Sequence, residues 1–105
     1  YDKDYINILG EYGGIGWPVQ GHLWQPDRNW GYVQFKSADE VLKAYETSAI
    51  KLALLIDYGY AAGIYTQITD VEGEVNGLMT YDRKVIKINE SAVKEVNMSV
   101  INVLK

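Results

Sequence analysis

The stretch Tyr5-Ile6-Asn7-Ile8-Leu9-Gly10-Glu11, followed at once by Tyr12-Gly13-Gly14, constrains the chain most. Side chains alternate along a strand. Ile6 and Ile8 therefore share one face, and Asn7, Leu9 and Glu11 share the other. The strand ends on a carboxylate and runs into a glycine turn. An α/β barrel presents a catalytic acid at its mouth in this way. A surface acid just past a strand gives the same pattern, and the stretch alone leaves both readings open.

Further along, Ser37-Ala38-Asp39-Glu40 is a helix start. Ser37 caps backbone N–H groups, and Glu40 stands where a capping box needs it. Val41, Leu42, Tyr45, Ala49, Leu52, Leu55 and Ile56 recur at three- and four-residue spacing, and Gly59 stops the helix. Ala61 to Thr69 reads as a second strand, apolar on both faces as a strand inside a parallel sheet is. Asp70 to Gly77 is a loop, and Leu78 to Ile88 has no clear period. A last helix runs from Glu90 to about Leu104, capped by Asn89, with Val93, Val96, Val100, Ile101 and Leu104 on one face. Tyr12 to Tyr32 shows no apolar periodicity and is predicted to be a long loop.

The order strand, loop, helix, strand, loop, helix predicts two βα units, with parallel strands and right-handed crossovers. Two strands and two apolar helix faces need more partners than 105 residues supply. The chain is therefore expected to be one partial domain, 1–105, of something larger, or to assemble with copies of itself.

Composition narrows the partners. A formal charge of −4 argues against nucleic acid and against an anionic membrane surface. With no cysteine there is no disulfide framework and no thiolate metal site. All three Trp fall in the long loop, at positions 17, 24 and 30, which argues for a binding surface. His22, the lone histidine, has no Ser or Cys placed to make a triad with it. Beside Trp24 it is a candidate for binding a sugar hydroxyl. Asp70-x-Glu72-x-Glu74-x-Asn76 alternates oxygen ligands, but the EF-hand pattern fails at Val75 and Tyr81. A turn of solvated acids is the simpler reading, and no metal is expected. Asp82 and Arg83 are expected to pair locally.

Three segments carry a family resemblance: Ile8-Leu9-Gly10-Glu11-Tyr12-Gly13-Gly14, Gly21-His22-Leu23-Trp24 and Trp30-Gly31-Tyr32. A fourth is more specific, the run from Ile64 to Arg83. Together they resemble the end of the catalytic domain of glycoside hydrolase family 2, the β-galactosidase and β-glucuronidase relatives, and the long run resembles a bacterial branch of it. The resemblance implies an α/β fold: a βαβα fragment corresponding to the last two units, strand 7 to helix 8, of a (β/α)8 TIM barrel. It implies hydrolysis of a terminal β-linked sugar with retention, no cofactor, and Glu11 as nucleophile.

In retaining enzymes the nucleophile and the acid lie about 5–5.5 Å apart. The resemblance places the acid outside this chain, so the isolated chain is expected to be inactive. Gln67, on the face of the second strand that points inward if Glu11 does, and Asp70 and Glu72, which follow that strand, are expected, with His22 and Trp24, to contact the carbohydrate. The resemblance puts Ile68-Thr69 where relatives carry an aromatic sugar floor, so the identity of the sugar stays open.

Overall fold

The computed structural model describes residues 1–105. Six elements follow in order: β1 (Ile8–Gly13), β2 (Ile15–Gly16), β3 (Val33–Gln34), α1 (Ala38–Tyr58), β4 (Ala62–Thr66) and α2 (Glu90–Ile101).

The helices form where their caps predict. Ser37 Oγ accepts the Glu40 N–H at 3.3 Å, while Glu40 reaches one residue further back and accepts the Lys36 N–H at 2.7 Å. At the other end the Gly59 N–H donates to Ile56 and the Tyr60 N–H to Leu55, a Schellman closure that satisfies the last carbonyls. Asn89 Oδ1 accepts the Ala92 N–H at the start of α2. The two helices touch, and Tyr45 Oη donates to Asn97 Oδ1 at 2.6 Å between them. Ile15, Val41, Tyr45 and Ile88 form the centre of the core, with Trp17, Phe35, Val93 and Val96 packed around them. Neither helix is long and apolar enough to cross a membrane.

The sheet corrects the expected architecture. The chain is a small α/β fold with two helices and two separate two-stranded parallel sheets, β1–β4 and β2–β3. It is not the βαβα pattern of the last two units of a TIM barrel. Two causes are visible. The stretch read as one long loop contains β2, and Ile15-Gly16 pairs with Val33-Gln34 just beyond that stretch, so backbone groups that a barrel leaves in a loop form their own ladder. The β1–β4 ladder meanwhile gains no third strand, so neither strand has the two neighbours a barrel gives it. Both strands are also shorter or shifted relative to the predicted 5–11 and 61–69.

One irregularity matters for chemistry. Leu9 pairs with Gly63, but the next pair is Tyr12 with Tyr65. β1 therefore advances three residues while β4 advances two, and a bulge sits at Gly10-Glu11. Strict alternation put Tyr12 opposite in face to Leu9. The bulge returns it to the Leu9 side, where its ring meets Tyr65 edge-on at 5.4 Å. That side faces α1, because a Cβ on Gly63 would strike Leu52 and Tyr12.

Candidate functional site

The bulge carries Glu11 out of the ladder at the end where β1 and β4 finish together. Beyond it the backbone must turn sharply. Gly13 and Gly14 have φ of +108° and +65°. A Cβ on Gly13 would lie 2.6 Å from the Tyr65 ring, and one on Gly14 would lie 2.7 Å from the Tyr32 ring. Glycine is required at both positions for conformation and for space. The Gly14 N–H then donates to the Thr66 carbonyl at 3.0 Å, and the Gly14 carbonyl accepts from Val33. These bonds shape a hollow of about 200 Å³ lined by Glu11, Tyr12, Gly13, Gly14, Tyr32 and Thr66. Glu11 is its only acid.

The two strands run parallel, as a shared mouth requires. The hollow is shallow, however, and Glu11 is exposed to solvent on its open side. Tyr32 forms one wall and is braced edge-on by Trp30 at 5.5 Å. Trp30 is fixed in turn by the 70–77 loop: its N–H donates to Gly73, and its carbonyl accepts from Val75. Burial raises the phenol pKa of Tyr12, Tyr45 and Tyr65, so all three stay protonated at neutral pH.

The other predicted residues fall in different environments. Gln67 is half-buried, and its Nε2 donates to Asn76 Oδ1 at 2.9 Å, one residue beyond the hollow's Thr66. Asp70 is buried rather than presented to solvent. Its Oδ1 accepts from Lys87 Nζ at 2.7 Å and from the Gly77 N–H at 2.8 Å. Desolvation pushes the Asp70 carboxyl up and the Lys87 ammonium down, and each partly restores the other's charge. Glu72 is exposed at the tip of its turn with φ +51°.

His22 lies on a second patch. Its Nδ1 is 2.8 Å from Asp82 Oδ2. Asp82 thus pairs with His22 across the fold and not with its neighbour Arg83. The Thr80 hydroxyl first, and then His22, hold the Asp82 carboxyl well below the usual carboxylate range. Trp24 stands edge-on to Tyr81 at 5.4 Å on the same patch.

Tyr32, Thr66, Asp82, Tyr81 and Lys87 were not among the residues predicted from sequence. Of these only Asp82 had a signal, as a turn acid. The others owe their places to long-range pairing. No three acidic or histidine side chains converge closely enough to hold a metal ion.

Larger grooves lie beside α2. One is lined by Ile68, Leu78, Met79 and Ile86, the other by Ala49, Ile50, Leu54 and Val96. Their walls are mostly aliphatic: the first holds one carboxylate, Glu90, and in the second Glu46 and Asp57 stand three turns apart on α1, roughly 16 Å by helix rise, too far to flank one glycosidic bond. No protein-family model matches the chain, and no curated protein matches it.

Proposed function

We propose that this chain supplies the nucleophile of a retaining β-glycoside hydrolase, with Glu11 as the attacking carboxylate. The observation that carries the reading is the bulge at Gly10-Glu11. It lifts a single carboxylate into a hollow at the shared end of two parallel strands, against the aromatic wall of Tyr32. Bulges of this kind re-aim a side chain beside a site. The family resemblance of the Glu11 and Ile64–Arg83 segments supports the same role.

Glu11 attacks the anomeric carbon, the bond to the leaving oxygen breaks, and a glycosyl ester forms on Oε. A second carboxyl must protonate that oxygen. The hollow holds none, because Asp70 is tied to Lys87 and does not line it. The acid, and a cover over the open side of Glu11, come from outside this chain. The chain alone therefore does not turn over an unactivated glycoside.

A leaving group that needs no proton isolates the first step. The purified chain is incubated with 2-deoxy-2-fluoro-β-glycosyl fluorides of galactose, glucose, mannose and glucuronic acid, then digested and analysed by mass spectrometry. One of the four leaves a fluoroglycosyl adduct on the Glu11 peptide, fluoride departs, and Glu11→Gln removes the adduct. Absence of any adduct on Glu11 sinks the proposal.

A second reading is a non-catalytic carbohydrate-binding surface, favoured by the exposure of Trp24 and Trp30, 57% and 48%. In that case sugars bind, no ester forms, and Glu11→Gln changes nothing.

A further inference from the structure

Asn76-Gly77 is the one Asn-Gly dipeptide among the chain's six asparagines. A glycine just after an asparagine opens a route to self-modification. It has no Cβ to screen its nitrogen, and its backbone turns freely, so the nitrogen can reach the asparagine side-chain carbonyl carbon. The nitrogen gives up its hydrogen and bonds to Cγ. The Cγ–Nδ2 bond breaks, and ammonia leaves with that hydrogen. A five-membered succinimide remains, and water opens it to aspartate or to isoaspartate. The sequence of steps needs only a mobile backbone and water.

The folded chain withholds both. Asn76 is buried, at 0% exposure. Its Oδ1 accepts from Gln67 Nε2 at 2.9 Å, and its backbone carbonyl accepts from the Gln67 N–H at 3.2 Å. The attacking nitrogen is held as well, because the Gly77 N–H donates to Asp70 Oδ1 at 2.8 Å. A Cβ on Gly77 would strike the backbone of Thr69 and Asp70, so the packing admits only glycine there. The reactive dipeptide is thus a requirement of the fold.

The product does not fit where the amide does. Asn76 Nδ2 is buried without a hydrogen-bond partner. An aspartate puts a carboxylate oxygen in that space, which offers it no donor. Lys87 has no hydrogen to spare, since its three go to Asp70 and to the Trp17 and Val75 carbonyls. A second buried carboxylate beside the Asp70–Lys87 pair is therefore unbalanced and strongly destabilising. Isoaspartate instead lengthens the main chain by one methylene between residues 76 and 77, which displaces the Gly77 N–H from Asp70.

We infer that Asn76 is a self-modification site sealed by the fold: opening of the 67–77 segment lets Asn76-Gly77 deamidate, and the acid that forms bars the segment from closing again. The chain thereby carries a one-way timer on the time it spends open. Neither Glu11 nor the hydrolase reading enters into it.

The first two measurements need only the wild-type chain. One sample ages in neutral buffer, the other in guanidinium chloride above the unfolding transition. Peptide mapping follows conversion of Asn76 to aspartate and isoaspartate in each. Conversion in the native sample should be at least about tenfold slower, because it is limited by the fraction of time the segment is open. The partly converted chain is then diluted out of denaturant. Folded and unfolded material are separated by size exclusion, and each is mapped. The folded fraction should keep Asn76, and the product should collect in the unfolded fraction. Asn76→Asp, which builds the aspartate directly, should lower the folding equilibrium constant by about a hundredfold or more. If that variant does not fold at all, the two wild-type measurements still decide. Conversion as fast in native buffer as in denaturant, or none in denaturant, overturns the seal. Product shared equally between the two fractions, or Asn76→Asp as stable as the wild type, overturns the one-way step.

Discussion

Lys87 places an ammonium where there is no water, at 1% exposure, beside Asp70 at 5%. All three of its donors are used, on Asp70 Oδ1 at 2.7 Å and on the carbonyls of Trp17 and Val75 at 2.8 and 3.0 Å. One side chain thus ties the Trp17 segment, the 70–77 loop and the strand-like 85–88 stretch together. Removing one member of such a pair leaves an uncompensated charge, so Lys87→Met should cost about 3–5 kcal/mol in urea unfolding. Adding Asp70→Asn to that variant should recover part of the loss. The pH profile gives a second readout. Burial already raises the Asp70 carboxyl above its ordinary 3.8, and loss of Lys87 raises it further. A raised carboxyl stabilises the fold below the unfolded value, and that contribution is lost as pH rises through the folded one. Lys87→Met should therefore become more stable as pH falls from 7 toward 4. Asp82 has the opposite sign. Its carboxyl is lowered from 3.8, so its contribution is present above that value and is lost as pH falls below it. Asp82→Asn should flatten the acid limb of the unfolding profile, and an unchanged limb would remove Asp82 from the account.

At the scale of elements, α1 and α2 were legible because their signals are local. A capping residue, a 3.6-residue period and a terminal glycine act within a few residues of one another. The Ser37 cap should be worth about 1 kcal/mol, so Ser37→Ala should lower the thermal midpoint without moving the spectrum of the folded state. The strands were legible only in part. β2 and β3 are two residues each and carry no period, so Ile15-Gly16 reads as loop and Val33-Gln34 as no element at all, although they pair. The bulge hid behind the assumption of unbroken alternation, and its one sequence signal was Gly10 inside an apolar strand. The candidate site divides in the same way. Glu11 could be placed from its own neighbours. Asp70 looked like a surface acid because its partner lies seventeen residues away, in a stretch with no readable structure. Asp82 looked like the partner of Arg83 because its true partner, His22, lies sixty residues away. Pairings of that range are decided by packing, and a single sequence does not encode them in any window.

For the molecule as a whole, the unusual quantity is how little is buried. Only 15 of 105 residues are, and the radius of gyration is 14.8 Å against about 13 Å for a chain of this length packed as a sphere-like domain. The uncovered apolar surface is not scattered. Ile8 and Ile64 lie on one face of the β1–β4 ladder, Ile6 and Ile68 just beyond its ends, and all four are 51–81% exposed. Both outer edges of that ladder also present unpaired backbone groups, the usual template for association between chains. The chain should therefore self-associate as its concentration rises, and light scattering after size exclusion should show a mass above the 11.9 kDa of one copy. The double variant Ile64→Lys, Ile68→Lys separates the apolar face from charge effects. Both sites are exposed, so the fold should tolerate the change within about 0.5 kcal/mol. Adding two positive charges to a formal −4 leaves −2, which weakens the mutual repulsion of two copies and by itself favours association. A shift to monomer in this variant, against that electrostatic trend, would identify the isoleucine face as the contact. A wild-type chain that stays monomeric at every concentration would show instead that the face is tolerated in water as it stands.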